Sequence, residues 1–192
     1  MICLKTIDTN ITSEIVIKNS RFITLLYKIN DTNIDKYIEE AKTLYPKATH
    51  YCYSYRLSNS QKSSDDGEPG GTAGIPMLNV LMKEDIINVL AITVRYFGGI
   101  KLGAGGLVRA YTKSLTTALQ SVNMIDLCEG YLVKVSINYD CQKQLDYLLK
   151  DMNIISKEYN DNIIYLFEIN KDNINLLDNY KYEIIEERMI EK

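Results

Sequence analysis

The chain has 192 residues, which is enough for one domain or for two small ones. Apolar residues make up 46% and charged residues 24%, a mixture that excludes disordered and collagen-like chains. The formal net charge of −3 excludes a polycation that coats nucleic acid, so any anion-binding site has to be local.

The sequence also bears on compartment and on metal chemistry. It contains no run of about 18 apolar residues and does not begin like a signal peptide, so we expect a cytosolic protein without a membrane partner. One histidine, His50, excludes a zinc site with two histidines. The cysteines are far apart, and we expect them to be reduced, buried and without a disulfide: Cys3, Cys52, Cys128 and Cys141.

Glycine and charge divide the chain unevenly. Nine of the ten glycines lie in residues 67–74 and 98–106, which predicts two loops with special backbone requirements. Residues 1–130 carry 14 basic and 13 acidic groups, whereas residues 131–192 carry 8 and 12. We therefore predict a domain boundary at Glu129-Gly130, with domains 1–129 and 130–192.

The first domain opens with two segments of β-branched and aromatic residues. Residues 11–18 and 21–29 predict strands that are joined by a turn at Asn19-Ser20. The segment that follows has apolar residues at the i, i+3, i+4, i+7 positions of a helix.

Asp31 or Thr32 is the predicted cap of this helix, and Pro46 ends it. Residues 49–57 then alternate strictly, which predicts a half-buried strand. The tyrosines on one face of this strand either pack against helices, which we favour, or stack on RNA bases: Tyr51, Tyr53 and Tyr55. Packing of the tyrosines leaves His50 and Arg56 exposed on the other face.

A polar loop follows, and a short helix is predicted to open near Pro76. The apolar run 86–94 predicts a central strand that is buried on both faces. Residues 107–122 then predict a helix with one apolar stripe. The stripe consists of Leu107, Ala110, Tyr111, Ser114, Leu115, Ala118, Leu119 and Val122.

The second domain has the order strand, helix, strand, strand, helix, strand. This βαββαβ order predicts a ferredoxin-like plan, with a hairpin turn at Asn160-Asp161 between its middle strands. The predicted elements are residues 131–138, 141–152, 154–159, 163–169, 171–180 and 182–187.

A basic, glycine-rich segment is the strongest candidate for a functional site. Between Asp85 and Asp126 the chain has four basic residues and no acidic one. The pattern indicates a site for phosphate or the RNA backbone at the start of a helix. In the alternative interpretation, the glycines only permit a tight loop and close packing, and the cations only make the helix soluble. It is not a dinucleotide or P-loop motif. The candidate residues are Arg95, Gly98, Gly99, Lys101, Gly103, Gly105, Gly106, Arg109 and Lys113.

A second candidate is the acidic segment with Asp65, Asp66 and Glu68. These carboxylates are suited to Mg²⁺ or Ca²⁺ or to acid–base chemistry, with His50 as an accessory residue. The alternative, which we favour, is a solvated turn or a helix cap, since the spacing does not match an EF-hand. For His50 we favour a structural, hydrogen-bonded role.

Four segments together resemble the IMPACT family, bacterial YigZ type. They are SRF (20–22), ATHYCYSYRL (48–57), DDGEPGGTAGIP (65–76) and RYFGGIKLGAGGLVRAY (95–111). The resemblance implies an α+β protein whose first domain has the two-layer α/β fold of a ribosomal protein and of domain IV of elongation factor G. The tail from about residue 131 resembles the small C-terminal domain of the bacterial members, which is similar to the last domain of elongation factor G.

The resemblance also implies a link to translation, because eukaryotic relatives regulate a starvation-sensing kinase by binding its activator. Those relatives carry a different additional domain, so the kinase pathway is not transferred to this chain. Members often have Ser or Ala where Gly70 stands, which argues against a serine nucleophile. We expect a non-enzymatic binding or regulatory protein that contacts RNA or the ribosome, with no cofactor and no DNA partner.

Two other functions are left open. One is a hydrolase or phosphate-handling enzyme that uses Asp65, Asp66 and Glu68 with Mg²⁺ or Ca²⁺. The other is an adaptor that binds a protein partner through the acidic second domain.

Overall fold

The computed structural model describes residues 4–192, and the chain forms two compact units that divide after Ile125. The predicted boundary at Glu129-Gly130 lies four residues too late. The strand β7 (Met124–Ile137) continues through it. Gly130 is used for close packing inside this strand, since a Cβ there would lie 2.5 Å from a side-chain carbon of Ile190.

The first unit is built on a five-stranded antiparallel sheet with the order β2-β3-β6-β4-β5. The strands of this sheet are β2 (Ile11–Ile17), β3 (Ser20–Lys28), β4 (His50–Arg56), β5 (Gln61–Ser64) and β6 (Val89–Tyr96). A short strand that precedes them, β1 (Lys5–Ile7), lies outside this sheet. The central position of β6 confirms the predicted buried strand, although β6 begins later and ends later than predicted. Sequence patterning misses β5 because all four of its residues are polar.

The turn between β2 and β3 lies one residue earlier than predicted. Lys18 and Asn19 both have positive φ, as the turn of a tight hairpin requires, and Ser20 already belongs to β3.

Three helices cover this sheet, and they lie on both of its faces. They are α1 (Asp35–Leu44), α2 (Gly74–Lys83) and α3 (Ala104–Leu119). Helices α2 and α3 pack on the face that contains Phe22 and Leu26, whereas α1 packs on the face that contains Ile23 and Leu25. The α+β class is confirmed, but the first unit has three layers rather than two.

Two helix predictions differ in their outcome. The α3 stripe is confirmed, with seven of its eight members buried and the eighth, Val122, packed against them. The predicted cap of α1 is wrong, because Ile34 stands at the N-cap and has no side-chain hydrogen bond. Asp31 instead accepts a hydrogen bond from the backbone N–H of Asn33, two residues along.

The alternating strand β4 packs its tyrosines into the α1 face of the sheet. Tyr55 is buried there, and Tyr51 and Tyr53 are half-buried against the same core, so the packing interpretation is correct. The expectation that His50 and Arg56 are exposed is wrong. Their face is covered by α2 and α3, and Arg56 donates to the carbonyl oxygens of residues 81 and 86.

The second unit has the predicted ferredoxin-like order, with its strands arranged β10-β7-β9-β8 and all pairs antiparallel. The elements after β7 are α4 (Gln142–Leu148), β8 (Ile154–Tyr159), β9 (Ile163–Asn170) and β10 (Tyr182–Glu191). The helix predicted at 171–180 is a 3₁₀ helix, Lys171–Leu177. Asn170 stands at its N-cap and accepts a hydrogen bond from the N–H of Asp172, which fixes where this helix begins.

The cysteines follow the prediction only in part. Cys52, Cys128 and Cys141 are free thiols, whereas Cys3 lies outside the described residues. Cys52 is buried, but Cys141 is exposed, so the expectation of uniformly buried thiols is wrong. Within residues 4–192, no helix has the length and apolar character needed to cross a membrane.

Candidate functional site

A cleft of about 290 Å³ lies in the first unit where the acidic loop, the end of β6 and the start of α3 meet. The structure therefore brings the two glycine-rich segments together. The residues that line the cleft are Thr49, His50, Glu68, Pro69, Arg95, Phe97, Lys101, Leu102, Gly103, Ala104 and Leu107.

The floor of the cleft is a buried ion pair. Arg95 Nη1 lies 2.6 Å from Glu68 Oε1, and the two residues are 5% and 7% exposed. The hydroxyl group of Tyr111 donates to the same carboxylate oxygen at 2.8 Å. His50 Nε2 lies 3.8 Å from the other oxygen, Glu68 Oε2. These contacts compensate a charge that would otherwise be costly to bury.

The strand register places Arg95 at this position. Arg95 is paired with Phe22 on β3 and with His50 on β4, so all three residues meet near the end of the sheet. The Arg95 guanidinium carbon lies 5.5 Å from the ring centres of both Phe22 and Phe97. Its Nη2 reaches Ser20 Oγ at 3.5 Å, whereas its Nε has no hydrogen-bond partner. The Nε–H group of this buried guanidinium therefore has no acceptor.

Asp65 is a helix cap rather than a free carboxylate. It accepts hydrogen bonds from the backbone N–H groups of Gly71, Ala73 and Gly74 at 2.8–2.9 Å, which satisfies the start of α2. Burial by itself would raise the pKa of Asp65, but these three N–H groups stabilise the carboxylate and hold the pKa below its usual value.

Asp66 belongs to the same loop, but its carboxylate contacts the strand β4 rather than the start of α2. Its Oδ2 accepts from the backbone N–H of Tyr51 at 2.6 Å, and its backbone carbonyl oxygen accepts from His50 Nδ1 at 2.7 Å. The carboxylates of Asp65, Asp66 and Glu68 thus have separate partners. In the part of the chain that the structure describes, no three acidic, histidine or cysteine side chains are arranged to hold a metal ion.

Cys52 and Tyr111 extend the network below the ion pair. The Cys52 Sγ lies 2.9 Å from the carbonyl oxygen of Asp65 and 3.3 Å from the Tyr111 hydroxyl group. Burial raises the pKa of the Cys52 thiol to about 12, and burial also raises the pKa of Tyr111. The thiol therefore stays protonated near neutral pH and is a poor nucleophile.

The predicted phosphate-binding residues occupy three different settings. Lys101 is exposed at the rim of the cleft, next to Gly103, which has positive φ (68°) and stands at the N-cap of α3. Arg109 and Lys113 are exposed on α3 but do not line the cleft. Arg95, which was predicted to contact phosphate, is buried and its guanidinium is paired with Glu68.

The loop between β6 and α3 is pinned at its first residues. Gly98 approaches the β2–β3 turn so closely that a Cβ there would lie 2.1 Å from the carbonyl carbon of Asn19. The Gly98 N–H donates to Ser20 Oγ at 3.2 Å, and the Phe97 N–H donates to Thr49 Oγ1 at 3.1 Å.

This arrangement presents Phe97, which is 46% exposed and which sequence reasoning missed. Its only sequence signal is an aromatic residue between Arg95 and the glycines, beyond the end of the apolar run.

The fold and the cleft together define a two-unit α+β protein whose first unit carries a cleft between its two glycine-rich segments. A family model described as the Impact N-terminal domain matches residues 18–119. IMPACT family member YvyE of Bacillus subtilis is 35% identical over 177 residues, which cover 89% of this chain and 82% of YvyE. The chain therefore belongs to the IMPACT family.

Two further comparisons agree with this conclusion. IMPACT family member YigZ of Escherichia coli is 42% identical over 112 residues, which cover 55% of each chain. A crystal structure of a hypothetical protein superposes with a TM-score of 0.69 at 30% identity and covers 97% of this chain and 98% of its own. The similarity to that structure therefore extends over both units.

Proposed function

We propose that this protein is a non-enzymatic binding protein linked to translation, and that its first unit contacts the backbone of RNA, free or in the ribosome. The observation that carries this proposal is the uncapped start of α3 at the cleft. The association of the family with translation agrees with it.

The start of α3 has the properties of an anion-binding end. The first N–H groups of a helix lack intrahelical acceptors and carry the positive end of its dipole. No side chain caps this end of α3, and its first turn contains no acidic residue. By contrast, Asp65 already occupies the start of α2. Only α3, of these two helices, offers its first N–H groups to an external anion.

Side chains around this end of α3 add positive charge. Lys101 is exposed at the rim of the cleft, and Arg109 and Lys113 are exposed along the same helix. Glu68 is the one carboxylate that lines the cleft, and its charge is balanced by Arg95. These groups favour a phosphate over a cation.

The engaged carboxylates support binding over metal-assisted hydrolysis. Asp65 caps α2, Asp66 bonds the backbone of β4 and Glu68 neutralises Arg95. A magnesium or calcium site would require oxygen ligands that converge on one point. The separate engagement of these carboxylates therefore favours binding over the hydrolase alternative.

The test is the salt dependence of binding to a fluorescently labelled single-stranded RNA, measured by anisotropy. If about three phosphates are neutralised, the plot of log K against log salt has a slope of about −2. The triple variant Lys101→Glu/Arg109→Glu/Lys113→Glu is expected to lose most of this slope. The matched control is Lys36→Glu, which reverses an exposed charge on α1, on the other face of the sheet.

Co-sedimentation of the same variants with ribosomes tests whether the protein binds RNA that is part of the ribosome. The proposal predicts that the triple variant is released from ribosomes at lower salt than the wild type and Lys36→Glu. Binding that is unaffected by salt and by the triple substitution would contradict the proposal, as would no binding of the wild type to either target.

A further inference from the structure

Phe97 is a large apolar side chain held in an exposed position at a charged cleft. Its ring is 46% exposed, although the residues before it on β6 are almost all buried. The backbone hydrogen bonds of Phe97 and Gly98 to Thr49 and Ser20 fix the position from which the ring extends. Ordering this ring on a ligand therefore costs little backbone entropy.

The surroundings of the ring favour a flat, polarisable group attached to an anion. The guanidinium carbon of Arg95 lies 5.5 Å from the ring centre, so part of the ring surface already stacks on a cation. The rest of the exposed ring shares the cleft with Lys101 and the uncapped start of α3. An unstacked nucleobase with its own phosphate has this combination of an aromatic face and a negative charge.

The dimensions of the cleft agree with one nucleotide. Its volume of about 290 Å³ is near the lower end of the range for small-molecule sites. A base in a duplex is stacked between its neighbours and cannot lie on a protein ring, whereas a base in a single strand can.

We infer that Phe97 is a stacking platform for one base of single-stranded RNA, whose phosphate lies at Lys101 and the start of α3. The inference rests on the proposed function and adds the form of the RNA that is bound. The protein selects unpaired nucleotides, because the ring contributes affinity only when a base is free to stack on it. The sequence of the RNA contributes little, since every base has an aromatic face.

The absence of tryptophan from this chain makes a direct test available. The variant Phe97→Trp introduces a single tryptophan at the platform, and a base that stacks on it quenches its fluorescence. The matched control is Tyr147→Trp, at a position that is 74% exposed on α4 of the second unit. Both variants are titrated with oligouridine while binding is measured separately by anisotropy.

A second set of variants distinguishes the contribution of the Phe97 ring to binding from that of the phosphate contacts. Phe97→Ala is expected to weaken binding of oligouridine by roughly 5- to 150-fold, whereas Phe97→Tyr retains the affinity. With an abasic oligomer of the same length, wild type and Phe97→Ala are expected to bind equally, because the phosphates remain and the bases are gone. A duplex of the same length is expected to show the same indifference to Phe97→Ala.

The outcomes distinguish this inference from the proposed function. Quenching of Phe97→Trp but not of Tyr147→Trp, with a loss in Phe97→Ala that disappears on the abasic oligomer, supports the platform. Salt-dependent binding without quenching, and with no loss in Phe97→Ala, overturns the platform and leaves the proposed function standing. No binding of the wild type to oligouridine overturns the platform, and no binding to ribosomes as well overturns the proposed function. Unchanged thermal unfolding of Phe97→Ala excludes a folding defect as the cause of lost binding.

Discussion

The two units of this protein differ in what they bury. In the described residues, every buried polar or charged side chain belongs to the first unit: Thr6, Ser20, Thr24, Ser54, Glu68, Thr72, Thr93, Arg95 and Ser114. The second unit buries apolar side chains and Tyr165, whose hydroxyl donates to Asp146, and its ion pairs are partly exposed, as between Lys157 and Asp146. Buried polar groups are costly unless they are paired. The free-energy cost of burying polar groups therefore falls mainly on the first unit. The two charged residues that are buried within residues 4–192, Glu68 and Arg95, both line the cleft.

Charge follows the same division. Residues 1–125 carry 14 basic and 11 acidic groups, a net charge of +3, whereas residues 126–192 carry 8 and 14, a net charge of −6. The basic unit is thus the one with the buried network and with the start of α3 at the cleft. This comparison associates anion binding with the first unit and makes the two units differ in their response to substitution.

The largest expected effect comes from breaking the buried ion pair. Arg95→Ala leaves Glu68 as an uncompensated buried charge and should lower the free energy of unfolding of the first unit by about 3–5 kcal/mol. Arg188→Ala removes a partly exposed partner of Glu168 and Glu186 in the second unit and should cost about 1 kcal/mol or less. Urea denaturation is the measurement, with hydrogen exchange to report on each unit separately. Equal losses would contradict the comparison.

A substitution at Gly98 tests the packing of the loop that carries Phe97. Gly98→Ala places a methyl group against the backbone of Asn19 and should destabilise the first unit by about 1–3 kcal/mol. Gly70→Ala is the matched control, because no atom lies within 4 Å of the added Cβ and the residue does not have positive φ. Thermal unfolding of both variants checks the prediction. A Gly70→Ala variant as unstable as Gly98→Ala would show that close packing is not the cause.

Low pH is expected to destabilise the first unit, in part because Asp65 becomes protonated. The pKa of its carboxyl is lower in the folded protein than in the unfolded chain, so the unfolded chain takes up the proton first as the pH falls. The stabilisation is complete above the unfolded value, near 3.8, and is lost as the pH falls through the folded value. Asp65→Asn should cost about 1 kcal/mol at neutral pH. The difference from wild type should shrink below about pH 4. Urea titrations from pH 7 to pH 3 would show a constant difference if the cap were not ionic.

The smallest expected effect is the response to divalent cations. Because Asp65, Asp66 and Glu68 are each engaged elsewhere, excess Mg²⁺ or Ca²⁺ should leave the melting temperature of the first unit unchanged. Differential scanning calorimetry with and without the cations is the measurement, and Asp66→Asn is the control variant. A stabilisation by Mg²⁺ that Asp66→Asn abolishes would restore the hydrolase alternative.

Periodic patterns predicted the regular elements of this protein well. The stripe of α3 and the strand order of the second unit follow from periods of 3.6 and 2 and from chain order, which are local properties. The four-residue strand β5 has no such pattern, since an edge strand can be polar throughout. The helix predicted at 171–180 is a shorter 3₁₀ helix, and Asn170 caps its start by accepting a hydrogen bond from the N–H of Asp172.

The candidate site was predicted from the composition of two segments, and the pairing of their side chains was not predicted. Glycine content and charge identified Lys101 and the start of α3, because those are properties of single residues in a row. The sequence does not show that Arg95 turns inward to Glu68, since this depends on which face of β6 α3 covers. Phe97 is exposed for a similar reason. Its chain neighbours are pinned to residues 20 and 49, far away in the sequence.

The sequence by itself determined the family, the α+β class, the two-part organisation and the basic character of the glycine-rich segment, because each is encoded in local composition and spacing. Only the tertiary structure decided which charges are free. Three residues from separate segments, His50, Arg95 and Tyr111, meet at the carboxylate of Glu68. Burial makes the pairing of that carboxylate obligatory, and this pairing leaves Lys101, Phe97 and the start of α3 as the groups to which we assign the proposed ligand.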